Sequence, residues 1–185
     1  MLSIKKIFFS ILFVVLCFSA TKQAWSQSIE KQNVLAALTL NIAKFTTWPE
    51  LVFKESNNIF NLCVYGDNIV QQSFSNINKK LINKKTIHII NISRLRRLNH
   101  CHLIYISELE RTKLIALLLE LKDQPILTIG EKVDFLQAGG IVGFESIDGK
   151  IQLNINLAII KPSQLIISSR LLKLATIVNY PFPKN

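Results

Sequence analysis

The chain has 185 residues, of which 49% are hydrophobic, and its 22 Lys and Arg outweigh 12 Asp and Glu to give a formal net charge of +10. The length fits one domain behind a leader, and the sequence contains no internal repeat, low-complexity tract or interdomain linker. The basic balance favours an anionic partner, such as a lipid surface, a cell-wall polymer or an acidic protein.

The first 26 residues have the form of a secretory signal peptide. Lys5 and Lys6 supply the positive start, residues 7–19 form an uncharged apolar run, and Ala24-Trp25-Ser26 places small residues at the cleavage positions. The alternative, a membrane anchor, needs a longer run of about 20 apolar residues.

We therefore predict a cleaved signal at 1–26, a single domain at 27–185 and a periplasmic location. Cleavage removes three of the lysines and leaves 19 basic and 12 acidic residues. An exported protein is not expected to meet nucleic acid. It can, however, contact the cell wall.

Helical spacing of apolar residues predicts helices, and short apolar runs predict strands. In chain order we expect a helix over 29–45, a strand over 59–65, a short helix over 68–74, strands over 86–90 and 103–106, a helix over 107–122, a strand over 125–129 and a short helix over 133–138. Ser107 and Glu110 have the spacing of a capping box at the start of the longer second helix.

The last third of the chain predicts a hairpin followed by a helix. Asp148-Gly149 suits a two-residue turn in which both central residues have positive φ. The segment 151–157 alternates apolar and polar residues, as a strand with one buried face does. After Pro162, a Leu/Ile-rich segment has helical spacing.

Strands that alternate with helices predict an α/β fold of Rossmann or flavodoxin type, with a mainly parallel sheet, helices on both faces and the C-terminal antiparallel hairpin plus helix. In the common 2-1-3-4 order the first and third strands are neighbours. Cys63 lies in the first and Cys101 just before the third, and they are the two cysteines left after cleavage. We predict that they form a disulfide; two reduced thiols are the alternative.

The sequence offers few candidate binding residues. Gly66 and Asp67 follow the first strand, where open α/β sheets bind ligands, but a tight strand-to-helix turn is an adequate explanation of both residues and is the favoured one. His100, Cys101 and His102 suggest a metal site, but in an extended chain the two histidines point away from Cys101, so we predict no metal.

No catalytic set is recognisable. Ser168-Ser169-Arg170 lacks a positioned base, and a Ser near a helix start is usually a cap. His88 lies within an apolar strand and is interpreted as a core or edge residue, while Glu145 and Asp148 are interpreted as solvent-facing. We therefore predict a binding protein that is not an enzyme and needs no cofactor.

The exported part resembles the YfiR family of small periplasmic regulators over about Val34 to Val178. The segments that carry the resemblance are Ala36 to Pro49, Phe60 to Asp67, Cys101 to Ser107, Pro125 to Ile129, Phe135 to Phe144, Leu153 to Ala158, and Ile167 to Ala175. Their order and spacing make the resemblance specific.

The resemblance implies a repressor that binds the periplasmic domain of an inner-membrane diguanylate cyclase, restrains cyclic-di-GMP synthesis and biofilm formation, and forms a homodimer. It matches Cys63 and Cys101 to one family disulfide. A second disulfide of the best-known member has no counterpart, which puts redox control through that bridge in doubt.

We place the partner-binding surface on the C-terminal hairpin and helix, at Phe144, Glu145, Ile147, Leu165 and Arg170. An alternative function is a sensor of a small ligand or cell-wall fragment that uses the crevice at Gly66 and Asp67 and acts on another membrane receptor. An exported α/β enzyme is the third hypothesis.

Overall fold

The computed structural model describes residues 28–54 and 58–183. The strands are β1 (Thr46–Thr47), β2 (Ile59–Tyr65), β3 (Leu81–Ile82), β4 (Lys85–Asn91), β5 (Leu103–Ile106), β6 (Leu127–Glu131), β7 (Val142–Ile147), β8 (Lys150–Asn156), β9 (Ile166–Ile167) and β10 (Thr176–Val178). The helices are α1 (28–44), α2 (Asn68–Ser75), α3 (Arg111–Glu120), α4 (Val133–Gln137), α5 (Leu157–Ile160) and α6 (Ser169–Leu172), with 3-10 turns at Glu50–Phe53, Leu98–His100 and Lys161–Ser163. Within the described ranges, no helix has the length and apolarity needed to cross a membrane. The predicted signal peptide lies outside them.

Eight strands form one sheet in the order β10-β8-β7-β6-β5-β2-β4-β3. Five central strands are parallel, namely β4, β2, β5, β6 and β7 in their order across the sheet. At the two sides of this group, β8 pairs antiparallel with β7 and β3 pairs antiparallel with β4. The chain leaves β2 toward β4 and then returns past β2 to β5, so the strand order reverses between β2 and β5. This confirms the predicted α/β class and the flavodoxin-like order.

One side of the sheet, here called the α1 face, is covered by α1, α2 and the C-terminal segment. Its strands contribute Phe60, Leu62 and Tyr105, each fully buried. The helices contribute Leu35 from α1 and Phe74 from α2 to the same cluster. Consecutive strand residues point to opposite faces, which is why this cluster takes alternate positions of β2 and β5.

The other side, here called the α3 face, is covered by α3 and α4. Cys63, Ile104 and Ile106 point to this side and pack against the buried leucines of α3. Residues 92–102, which cross from β4 to β5, hold only the one-turn helix Leu98–His100. Most crossovers between parallel strands contain a helix that lies on the sheet, so this face is incompletely covered over β2 and β4.

The hairpin between β7 and β8 has the predicted two-residue turn. Asp148 has φ 48° and Gly149 has φ 74°, which places both central residues in the left-handed region. The two strands pair from Val142 with Ile155 to Ile147 with Lys150.

The C-terminal segment is less helical than its apolar spacing indicates. α6 is a single turn, and Ile166–Ile167 pairs with β1 instead of continuing a helix. Thr176–Val178 extends the sheet as β10, parallel to β8. β-branched residues favour strands, and β10 pairs with the backbone groups of β8 that would otherwise form the edge of the sheet.

Candidate functional site at the carboxyl edge of the sheet

The main polar cluster lies at the carboxyl ends of β5 and β6 and centres on Glu131. Its Oε1 accepts hydrogen bonds from Tyr105 Oη (3.0 Å), Ser107 Oγ (2.8 Å) and Gln32 Nε2 (3.2 Å). Its Oε2 pairs with Lys31 Nζ at 2.9 Å. The cluster therefore ties α1 to the carboxyl edge of the sheet.

The surroundings keep Glu131 ionised. Burial alone would raise the pKa of its carboxyl group, but hydrogen bonds from Lys31, Ser107 and Gln32 outweigh this and lower the pKa below its usual value of 4.5. Burial and the negative charge of Glu131 raise the pKa of Tyr105, so its hydroxyl stays protonated and donates.

This arrangement is unsuited to acid–base catalysis. A general base works best with a pKa near the operating pH, whereas the pKa of Glu131 is shifted the other way. The Ser107 hydroxyl donates a hydrogen bond to Glu131. Within the described part of the chain, no histidine or lysine accepts a hydrogen bond from this hydroxyl. The cluster fits a structural or binding role better than a catalytic one.

A cavity of about 300 Å³ opens beside Glu131, between α1 and β7. Lys31 and Lys132 line it together with Glu145 and Phe144. Charges of both signs at a concave apolar surface can position a polar group of a ligand or a partner side chain.

The structure gives Gly66 and Asp67 local roles. Asp67 is the N-cap of α2, and its Oδ1 accepts from the backbone N of Val70 at 2.9 Å. A Cβ at Gly66 would lie 2.7 Å from the Val70 side chain, so the turn needs glycine. Ligand binding at these two residues stays a prediction, and Asp67 already uses one carboxylate oxygen as a cap.

Cys63 and Cys101 are joined by a disulfide with Cα atoms 5.8 Å apart. His100 Nε2 lies 3.9 Å from Cys63 Sγ and 3.7 Å from Cys101 Sγ. The expectation that His100 points away from Cys101 is wrong, because residues 98–100 form a helical turn instead of extended chain. The disulfide sulfurs lack the thiolate charge that a metal ion requires.

His102 is separate from this group and buried on the α1 face. Its Nδ1 accepts from the backbone N of Asn61 at 2.8 Å, and its ring stacks on Phe53 with centroids 4.7 Å apart. Burial lowers the pKa of His102, which keeps the ring neutral. Its role is to join β5 to the chain around β2.

The predicted partner surface divides into exposed and buried residues. Ile147 is 45% exposed on β7, Glu145 is half-buried and Arg170 is exposed on α6. Phe144 and Leu165 are only 3% and 4% exposed. The prediction that Phe144 and Leu165 contact the partner directly is therefore corrected, because their side chains are buried in the core.

The predicted capping box is also corrected. Glu110 is itself the N-cap of α3, accepting from Thr112 N and Lys113 N, while the Ser107 hydroxyl serves Glu131. At α6, Ser168 caps the helix as expected. His88 is exposed on β4, so the edge interpretation applies.

Sequence reasoning missed Glu131. The signal was an acidic residue directly after the apolar run Leu127–Ile129 and Gly130, at the end of a parallel strand. The same rule that pointed to Gly66 and Asp67 also applies to Glu131 and Ser107. Their partner Lys31 lies 100 residues away from Glu131 in the chain, so its contribution could not be read from local spacing.

Comparison with protein families gives one match. A family model described as YfiR/HmsC-like matches residues 32–176, which include both cysteines of the disulfide and, except for Lys31, the residues of the Glu131 cluster. No curated protein sequence matches the chain. Since the family model covers most of the chain, this protein belongs to the YfiR/HmsC-like family.

Proposed function

We propose that this protein is a periplasmic negative regulator that binds the periplasmic domain of an inner-membrane diguanylate cyclase and holds the cyclase inactive. Membership of the YfiR/HmsC-like family over residues 32–176 is the observation that carries the proposal. Restraint of the cyclase lowers cyclic-di-GMP and with it biofilm formation. The regulator acts by binding the inactive state of the cyclase more tightly than the active state.

The charge of the exported part supports this partner. Nineteen basic residues against 12 acidic ones favour an acidic patch on the cyclase. Such complementarity speeds association and selects the partner more than it adds affinity. Binding should therefore weaken as salt is raised.

The cellular test is cyclic-di-GMP in the native host, with the gene deleted and then restored. Deletion should raise cyclic-di-GMP, the full chain should reverse the rise, and a version without residues 1–26 should not. Removing the partner cyclase should cancel the effect. An unchanged level on deletion would contradict regulation of a cyclase.

The surface test uses the purified protein and the cyclase periplasmic domain. We propose the contact at Ile147 and Arg170, so Ile147→Asp with Arg170→Glu should weaken binding at least tenfold. Leu81→Asp with Lys80→Glu is the matched control: it makes the same change of charge, and both residues are exposed next to each other at the far edge of the sheet, with Leu81 58% exposed on β3. Phe144→Asp is unsuitable, since it would bury a charge. Equal losses in the test and control variants would contradict this placement.

A further inference from the structure

An open groove lies on the α3 face, between the loop that follows β4 and the flank of α3. Its volume is about 810 Å³, and Tyr65 lines it at the carboxyl end of β2. This position is beside the point where the strand order reverses, between β2 and β5. Open α/β sheets bind ligands at such reversal points, at the carboxyl ends of the strands.

The groove exists because one crossover lacks a helix. Crossovers between parallel strands are right-handed, so the segment from β4 back to β5 must pass over the α3 face. Ile92 and Leu98 anchor this segment in the buried cluster of that face. Between them the chain is irregular, and it leaves open the space beside α3 that a full helix would fill.

The groove is positively charged at one end. Arg94 and Arg96 line it from the loop, and Lys113 lines it from the first turn of α3. The ion pairs found within the described ranges, Lys31–Glu131 and Lys132–Glu108, involve none of these three cations. The carboxylate of Glu110 accepts from two backbone N–H groups at the start of the helix and also interacts with the charge of Lys113, so it offsets part of the Lys113 charge.

Among the described residues that line the groove, Glu120 is the one acidic residue, and it lies away from this end. Glu120 is seven residues beyond Lys113 on the same flank of α3, which separates them by about 10 Å along the helix axis. The groove therefore has a cationic end at the carboxyl edge of the sheet. Two Arg side chains can each present a planar fork of N–H donors to phosphate oxygens.

Apolar side chains form the rest of the lining. Leu95 and Leu109 are half-buried, and Leu117 is buried at the base of the flank. Tyr65 adds a half-buried ring. A ligand with only an anionic group would leave this surface unused, whereas one that also carries an apolar or aromatic body would cover it.

We propose that this groove binds a small phosphate monoester with an apolar or aromatic body, the phosphate lying between Arg94, Arg96 and Lys113. A phosphate monoester carries about −1.5 to −2 charges at neutral pH, which suits three cations. The proposal goes beyond repression of a cyclase and does not depend on it. It assigns a small-molecule site to a face of the protein remote in sequence from the C-terminal hairpin.

The test uses the exported protein and three probes: phenyl phosphate, inorganic phosphate and vesicles of phosphatidylglycerol. Calorimetry should show saturable binding of phenyl phosphate and weaker binding of inorganic phosphate, which lacks the apolar body. Amide shifts on titration should map to Tyr65, residues 93–96 and the first half of α3. The vesicles should bind more weakly than phenyl phosphate, and their binding should not depend on Arg94 and Arg96.

The variant Arg94→Ala with Arg96→Ala should weaken phenyl phosphate binding at least tenfold. Lys161→Ala with Lys173→Ala removes the same charge from exposed positions in the C-terminal segment and should change binding less than twofold. All four side chains are exposed, so both variants should unfold at the same urea concentration as the parent protein.

Three results would overturn the proposal. They are no saturation by phenyl phosphate at millimolar concentration, an equal loss of binding in both double variants, and amide shifts that map outside the groove. A preference for vesicles over soluble phosphate, abolished by the Arg94 and Arg96 changes, would also overturn it and identify the groove as a membrane contact instead.

Discussion

The two faces of the sheet are built differently. On the α1 face, helices and the C-terminal segment cover a cluster rich in aromatic side chains, including Trp48, Phe60, Phe74 and Tyr105. On the α3 face, the crossover from β4 to β5 has no full helix, and the disulfide fastens it to β2. On the α3 face the disulfide therefore adds a covalent link to the apolar contacts of Ile92 and Leu98, and the space that a full helix would fill forms the groove.

The largest effect should come from the aromatic cluster of the α1 face. Phe60 is fully buried, and its ring meets Trp48 edge-on with centroids 5.0 Å apart. Phe60→Ala should cost about 3–5 kcal/mol because it removes this contact and leaves a cavity. Leu118→Ala, at a buried position of α3, is the comparison on the other face. Urea unfolding that gives a smaller loss for Phe60→Ala than for Leu118→Ala would reverse the ranking of the two faces.

The disulfide tests the α3 face directly. Cys63→Ala with Cys101→Ala should lower the free energy of unfolding by about 2–4 kcal/mol, since the link closes a loop of 38 residues in the unfolded chain. A dithiol reductant should bring the parent protein to the stability of the variant and leave the variant unchanged. Thiol titration of protein from the periplasm should find no free thiol; two free thiols would refute the covalent anchor.

The Glu131 cluster connects α1 to the carboxyl edge, and its contribution should depend on pH. The folded-state pKa of Glu131 is lowered, so its stabilisation is present above the unfolded value near 4.5 and is lost as pH falls through the folded value. Glu131→Gln should cost about 1–3 kcal/mol at pH 7, because it removes the partner of Lys31 and weakens three hydrogen bonds.

The pH series for Glu131→Gln should run from 7 to 3, and its difference from the parent protein should narrow below about 4.5. Glu108→Gln is the control, because the Glu108–Lys132 pair is exposed and should contribute less than about 1 kcal/mol. A difference that stays constant with pH would show that the charge of Glu131 is not what anchors α1.

The smallest effect should come from the cap of α2 on the α1 face. Asp67→Ala removes the acceptor for Val70 N and should cost about 1 kcal/mol, while Asp67→Asn keeps an oxygen there and should cost a few tenths. Hydrogen exchange at the Val70 amide should quicken in the Ala variant alone. Equal exchange in both variants would mean that the cap contributes nothing measurable, and it would leave Asp67 available for a ligand role.

The sequence by itself predicted β2, β4, β5, β6, β7 and β8 in their order, the mainly parallel sheet and, with the common 2-1-3-4 winding assumed, a disulfide between Cys63 and Cys101. These follow from local periodicity, from turn residues such as Asp148-Gly149, and from the 2-1-3-4 winding that makes β2 and β5 neighbours. The hydrophobic pattern of residues 59–65 predicted β2 at its observed bounds. Local pattern was enough here because the central strands are short apolar runs that are buried on both faces of the sheet, as β5 and β6 are.

Only the tertiary structure decided the Glu131 cluster, the groove beside α3 and the strand β10. Lys31 meets Glu131 across 100 residues, and the groove depends on how a helix-free crossover lies against α3. Residues 165–178 have helical spacing, but parts of this segment form strands instead. They do so because their backbone groups pair with β1 and β8, which the local pattern cannot show. Local periodicity does not predict contacts between residues distant in sequence. It also does not predict which backbone groups remain unpaired at the edge of a sheet and can accept another strand.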